Sequence, residues 1–389
     1  MPAVRGRSAQ SVCVKATRFG AALAALTIAF ASLSPPPARA DVPKDELVVH
    51  IFDVGQGSCV LIECPDGPPI LDDCGHIGSG GDPTAAVVKI RDRLDDLRVA
   101  YPTPLQILIS HPHVDHFSAM VDKVTGFPTD DVRRLYWAGP WDSFSVKAKA
   151  WIEGLAVRID GAAHNGACVD GARVTCLAPN EHALETPRFS CGAAKVDLLT
   201  ASALTYNKSL GAGRKVAKGT SPNGESAVLR IRYAGVSLVF PGDAEEVTQL
   251  YAVENAQALG APLDPTTVLL LPHHGSGEVG SNDKVWAGAI SPQLVVVSAN
   301  IGGNYGHPNC DALSHFDTDP GTAMAPVSTP IDARCGDDKA HPNDHVVLHH
   351  RFIFTETNHD VTLRVSKTGD LTVTCDTAGV ACAAASPTP

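Results

Sequence analysis

The chain has 389 residues, 44% of them hydrophobic, which is enough for one large core. Acidic residues outnumber basic ones by 42 to 31, for a formal net charge of −11. That balance excludes a general nucleic-acid-binding surface, which would be basic.

Residues 1–40 read as a cleaved secretory signal peptide. Arg5, Arg7, Lys15 and Arg18 form a positive start, residues 19–33 are apolar and rich in Ala, and Ala38-Arg-Ala40 is a small-x-small cleavage site. The apolar stretch is short for a membrane anchor, and later apolar runs are only strand-sized, so the mature protein is expected to carry no membrane span. The expected location is secreted or periplasmic. Without the five basic residues of the leader, 26 basic residues face 42 acidic ones, net −16. Of eleven Cys, only Cys13 falls in the leader, and the ten that remain suit disulfides in an exported protein. Cys168 with Cys176 and Cys375 with Cys382 are candidate short-range pairs. None has CxxC spacing, which argues against a thiolate metal site.

The predicted elements follow in chain order. Residues 47–52, 58–63 and 70–75 read as strands separated by Asp53-Val-Gly-Gln-Gly57 and Pro65-Asp-Gly-Pro68. Residues 85–97 have helical spacing, with Val88, Ile90, Leu94 and Leu97 apolar. Leu105-Gln-Ile-Leu-Ile-Ser110 reads as a buried strand, residues 118–124 as the start of a helix, and 134–137 as a short strand. Residues 227–233 and 236–240 alternate around Ala234-Gly235 as a hairpin, and 244–259 read as a helix. Strands at 267–271 and 294–298 follow, and 361–365 with 371–374 make a closing hairpin. Residues 311–343 look like an irregular inserted loop, and 379–389 like a disordered tail. The span 41–378 is read as a single domain.

Polar clusters follow several of these strands, as they would if a site lay along one edge of a sandwich. The densest is His111-Pro-His-Val-Asp-His116, with three imidazoles and a carboxylate in six positions. His-x-His can aim two nitrogens at one ion, and the Asp-His that follows can serve a second. His111, His113, Asp115 and His116 are therefore candidate metal ligands. Asp243, in Phe-Pro-Gly-Asp, is the candidate bridge, since its two oxygens can each face one ion; a plain helix cap is its other reading. Of the pair His273-His274, His274 is taken as the ligand that completes the second ion. His273 lines the site or bonds the substrate, Ser276 lies beside it, and Asp73 orients a ligand histidine. His307, in Tyr-Gly-His-Pro, is a terminal ligand or a donor to a substrate oxygen. His76, His164 and His182 are secondary candidates for the first ion. His341, His345, His349, His350 and His359 are left as surface or loop.

Taken in order, Phe52-Asp-Val-Gly-Gln-Gly57, Leu71-Asp-Asp-Cys-Gly75, Ser110-His-Pro-His-Val-Asp-His116, Pro241-Gly-Asp243, Leu271-Pro-His-His-Gly-Ser276 and Tyr305-Gly-His-Pro308 resemble the metallo-β-lactamase superfamily. Within it, the chain is most similar to the hydrolase domain of ComEC-type competence proteins. The likeness covers about residues 48–308. It implies an α/β (α+β) fold, an αββα sandwich of two mixed sheets flanked by helices. It also implies two divalent ions: His111 and His113 hold the first, Asp115 and His116 the second, with Asp243 between. The third histidine usual for the first ion has no counterpart, and ComEC's membrane spans are absent. Zinc is the expected metal and manganese the alternative. Asp115 and His307 are the expected catalytic residues: Asp115 orients an activated water and accepts its proton, and His307 donates to the substrate. The function expected is an exported metal-dependent hydrolase acting on a phosphodiester, in a nucleic acid fragment or a small molecule. The alternatives are a carboxylic ester, thioester or lactone hydrolase of the same fold, or a non-catalytic binding module.

Overall fold

Alternation of apolar residues along the strands sets the layers of this protein. The computed structural model describes residues 45–376 apart from 79, 123–126, 128, 204–220, 302, 319–325 and 337–343. The expected leader and tail, His341 and Cys382 lie outside the described residues.

Eight strands form the first sheet: β1 (Glu46–Ile51), β2 (Cys59–Glu63), β3 (Ile70–Cys74), β4 (Leu105–Ile109), β5 (Val132–Trp137), β6 (Val174–Cys176), β15 (Val361–Ser366) and β16 (Leu371–Cys375). Their order is β16-β15-β1-β2-β3-β4-β5-β6, parallel from β3 to β6 and antiparallel elsewhere. The second sheet runs β14 (Phe352–Phe354), β11 (Pro292–Val297), β10 (Thr266–Leu270), β9 (Val236–Phe240), β8 (Val228–Tyr233) and β7 (Lys195–Thr200). It is parallel from β14 to β9 and antiparallel from β9 to β7.

Successive side chains of a strand point to opposite faces. On β4, Leu108 faces the second sheet, in one cluster with Val49, Ile62, Leu229, Leu238, Val268 and Val296. Leu105, Ile107 and Ile109 face outward, against α1 (Pro83–Leu97) and α3 (Val146–Asp160). On β10, Val268 and Leu270 face inward, while Leu269 packs against α4 (Glu246–Ala258), α5 (Lys284–Ile290) and α6 (Cys310–Thr318). Three apolar interfaces therefore separate four layers, helix–sheet–sheet–helix.

The helices carry local signals that agree with this packing. In α1 the Asp82 side chain accepts the Ala85 N–H, Pro83 opens the helix, and Val87, Ile90 and Leu94 form the buried stripe. In α3 Ser145 caps the start and Gly161, at φ 77°, ends it.

Two expectations need correction. The helix expected from 118 is instead a single turn, α2 (Val114–Phe117), which follows the extended His113 and has Asp115 in its first turn. Residues 311–343 are not an irregular loop where described. They hold most of α6 and the strand β12 (Pro326–Cys335), which pairs with β13 (Asp344–His350). The Pro, Asp and Gly content hid the helical spacing of Leu313 and Phe316 and the inward pair Ala333 and Cys335.

Disulfides join Cys59–Cys74, Cys64–Cys191, Cys168–Cys176 and Cys310–Cys335. Cys375 is also disulfide-bonded. No described helix is long and apolar enough to cross a membrane.

Ile107 is fully buried under α1, in the strand that leads to the histidines. Ile107→Ala is expected to lower the unfolding free energy by about 2–5 kcal/mol in a denaturant titration. Val146→Ser, at a residue 85% exposed, should change it by no more than about 0.5 kcal/mol.

Candidate metal centre

Several segments that leave strand ends meet at one edge of the sandwich. The first sheet supplies Asp72-Asp73 at the end of β3 and Ser110 to His116 after β4. The second supplies Pro241-Gly-Asp243 after β9, Pro272 to Gly275 after β10, and Ser298 after β11. Two glycines permit the approach. At Gly57 (φ 156°) a Cβ would lie 2.2 Å from the Gly75 carbonyl oxygen and 2.8 Å from that of Asp115. At Gly242 (φ 55°) it would lie 2.7 Å from Ser110 Oγ.

Three histidines share one arrangement, with Nδ1 tied outward and Nε2 aimed inward. His116 Nδ1 lies 2.7 Å from Asp73 Oδ2, and His274 Nδ1 lies 2.8 Å from the Ser298 carbonyl oxygen. Ser110 Oγ donates to Asp73 Oδ2 (2.7 Å) and receives His111 Nδ1 at 3.1 Å. Asp73 also accepts the Ser110 N–H at 2.7 Å. In the neutral form each ring carries its proton on the outer nitrogen and its lone pair on Nε2. All three Nε2 atoms are buried and make no hydrogen bond.

Asp243, 2% exposed, stands between them. Its Oδ1 lies 3.1 Å from His116 Nε2 and 3.6 Å from His274 Nε2. Its Oδ2 lies 3.6 Å from His111 Nε2 and 3.7 Å from His273 Nε2. Asp243 Oδ1 also makes no hydrogen bond. Two donor groups result, with ligand atoms within 4.8 Å of one another: Asp115, His116, Asp243 and His274 in one, and His111, His113 and Asp243 in the other. Buried polar atoms without partners are costly. Here they are imidazole nitrogens and carboxylate oxygens converging on common points, the donor set that divalent cations such as zinc or manganese take.

The electrostatics mark the same cluster. Burial alone would raise the Asp243 carboxyl, yet His116, His273, His274 and His111 hold it well below the usual carboxylate range. Burial opposes charge on His116 too, but Asp243 and Asp73 raise its pKa well above an ordinary imidazole's. Burial and the neighbouring His116 push His111 well down, so that ring stays neutral. Asp115 is held low against its burial by His274 and His116.

The backbone at His273 and His274 is strained. Both lie in the left-handed region, at φ 51° and 52°, which costs a non-glycine residue about 1–3 kcal/mol. The conformation is held by His273 N–H to the Gly242 carbonyl (3.1 Å) and Ser276 N–H to the His273 carbonyl (2.8 Å).

A cavity of about 320 Å³ opens on the centre and is lined by Gln56, His113, Asn223, His273, Glu278 and His307 among others. Burial and the neighbouring His273 and His274 lower the His307 pKa to about 3. Gln56 Nε2 lies 3.2 Å from its Nδ1.

The structure thus brings together His111, His113, Asp115, His116, Asp243 and His274, with His273 and His307 in the same cavity and Asp73 behind His116 and Ser110. Ser276 does not line the cavity: it is fully buried, and its Oγ accepts the Glu278 N–H (3.0 Å), closing the turn. His76, His164 and His182 belong to neither donor group. His164 pairs with Asp160 and His182 Nδ1 meets the Asn180 carbonyl. Of the later histidines, His349 and His350 bind Asp317, His345 meets Asp332 and His359 faces Asp53. Ser110, Gln56 and Asn223 were not singled out in the sequence. Gln56 sits within Val-Gly-Gln-Gly, but nothing local marks Asn223.

Asp73 does not line this cavity, yet it sets the ring of His116. Asp73→Asn keeps the acceptor for the Ser110 N–H and removes the carboxylate. It is expected to weaken cation binding by about 10–100-fold in competition with a chelating dye.

No protein-family model matches the chain, and no curated protein matches it. Solved structures do. Tm1679, a metal-dependent hydrolase of the β-lactamase superfamily, matches at 11% identity over 78% of this chain and 99% of its own, with a TM-score of 0.35. The short form of human tRNase Z matches at 13% identity over 64% of this chain and 92% of its own, TM-score 0.35. A metallo-β-lactamase variant from Cronobacter sakazakii matches at 15% identity over 66% and 79%, TM-score 0.29. The chain spans about half the length of other matches, among them 55% of a CmlA β-hydroxylase variant. Likeness at these scores decides nothing about activity. The strand orders and the four layers themselves define the architecture, an αββα sandwich of two mixed sheets with a His/Asp cluster on its edge.

Proposed function

We propose that this protein is an exported metal-dependent hydrolase that cleaves phosphodiester bonds with water activated between two divalent cations. One observation carries the reading: imidazole nitrogens approach both oxygens of the buried Asp243 carboxylate, and those of His111, His116 and His274 make no hydrogen bond. His111, His113 and Asp243 would hold one cation, and Asp115, His116, Asp243 and His274 the other. Bound there, the cations would lower the pKa of water towards neutrality and offset charge developing on a phosphoryl or carbonyl oxygen.

The side chains supply the rest. Asp115, held ionised, accepts a hydrogen bond from the attacking water and orients it. Gln56 Oε1 faces the Asn300 N–H, which leaves its amide nitrogen to donate to His307 Nδ1. The neutral His307 ring then carries its proton on Nε2, at the cavity wall. A cavity of about 320 Å³ takes one ester group with small substituents more readily than a duplex. The sequence likeness to ComEC-type hydrolase domains supports the phosphodiester, and the leader together with the disulfides supports export.

One feature favours a second reading, hydrolysis of a neutral carboxylic ester, thioester or lactone. Among the described residues no Lys or Arg lines the cavity, and Glu278 adds a carboxylate to its wall.

Purified protein is expected to hydrolyse bis(p-nitrophenyl) phosphate, to lose that turnover with chelator and to regain it with zinc or manganese. Asp243→Ala should reduce turnover by more than about 100-fold, beyond the loss expected for a group that only orients a ligand. Turnover of p-nitrophenyl esters or lactones without phosphodiester turnover would establish the second reading. Bound cations with neither activity would leave a binding module.

A further inference from the structure

The donor groups on the two oxygens of Asp243 are unequal. Four residues meet at the Oδ1 side and three at the Oδ2 side. The structure offers a further donor where there are fewer. His273 Nε2 lies 3.7 Å from Asp243 Oδ2, the oxygen that His111 Nε2 approaches at 3.6 Å, and stands just outside the group of His111, His113 and Asp243. The ring is buried and lines the cavity.

The backbone explains why two adjacent histidines reach one carboxylate. In an extended strand, neighbours point to opposite faces, so only one of them would face Asp243. The consecutive left-handed residues turn both inward, His274 towards Oδ1 and His273 towards Oδ2. Strain of this kind persists only where the surroundings impose it, and it gathers at functional sites. Asn223, from the turn Pro222–Glu225, places its Nδ2 3.0 Å from His273 Nε2. That contact marks Nε2 as the nitrogen with the lone pair, the form a cation needs, while Asn223 Oδ1 is buried without a partner.

We propose that His273 is a metal ligand, joining His111, His113 and Asp243 around the cation on the Oδ2 side, with Asn223 holding the ring in place until the cation binds. This inference rests on the two-cation reading above and assigns His273 a role distinct from contact with substrate. In it, His273 and His274 form one two-pronged unit that straddles the bridging carboxylate.

The test is cation content and affinity in the full chain, by elemental analysis after dialysis against buffered Zn2+ or Mn2+ and by titration with Co2+ followed in the visible spectrum. Wild-type protein is expected to retain two cations. His273→Asn, which tolerates the left-handed backbone, and His273→Gly, which relieves it, should each retain one tightly and bind the second at least 10-fold more weakly. The melting temperature of cation-free His273→Gly should equal or exceed that of the wild type, which separates lost ligation from lost folding. Two cations retained by both variants at wild-type affinity would overturn the assignment, as would a lowered cation-free melting temperature in His273→Gly with cation affinity intact. Wild-type protein that retains no cation would overturn the two-cation reading and this inference together.

Discussion

A carboxylate ringed by imidazoles, at the junction of two sheets, is the constraint on which the rest of the structure depends. An ionised Asp buried to 2% exposure is costly unless its charge is answered within a few ångströms. Four histidines surround it, and they come from both halves of the sandwich: His111 and His116 follow β4 of the first sheet, and His273 and His274 follow β10 of the second. That ring of imidazoles closes only while the two sheets keep their relative positions. The apolar layer between them therefore has a chemical role as well as a stabilising one. Leu108 and Val268, on the strands that lead to the two histidine clusters, lie in that one layer.

Precision at the centre comes from groups that never reach the cavity. Ser110 and Asp73 form a small buried network that sets two rings at once, and the Ser298 carbonyl sets a third. Each of these partners lies within or just beyond the end of a strand, on backbone already held by a sheet ladder. Rotational freedom that a free histidine would lose on binding a cation is thus already removed by folding. The remaining imidazole of this group, His273, is set differently, by a strained backbone and one amide. That difference matches the smaller donor group on the Oδ2 side of Asp243.

The cavity walls divide the chemistry between reactivity and selection. Its floor is imidazole and carboxylate, which suits any ester with a polarisable oxygen. Its wall carries Glu278 and no described Lys or Arg, which matters more for which ester is admitted. The acidic balance of the whole chain has the same sign as that wall and opposes a polyanionic surface as partner.

Much of this was legible in the residues alone, where the governing physics is local. Short apolar runs and, for β8, period-two alternation placed β1, β4, β8, β9 and β10 to within about two residues, a usual margin for such boundaries. The crowding of His111, His113, Asp115 and His116 after a strand marked the centre, because so many imidazoles have no reason to gather in a six-residue turn. The carboxylate of Asp243 and the pair His273-His274 were visible for the same reason, as polar groups closing apolar strands. Tertiary structure decided the rest. The helical stripe of α6 and the paired strands β12 and β13 were obscured by Pro, Asp and Gly, since their stability comes from packing on the second sheet and from the Cys310–Cys335 link. Ser276, expected to contact substrate or support a ligand, holds the His273 backbone through its N–H and turns its hydroxyl to the Glu278 N–H, a matter of where one hydroxyl points. The roles of Asn223 and Gln56, and the turning of two adjacent histidines to one side, depend on contacts between residues tens to hundreds of positions apart and on left-handed backbone that no residue preference demands. Local pattern determines which side chains are available; only the closed sandwich determines which of their atoms meet.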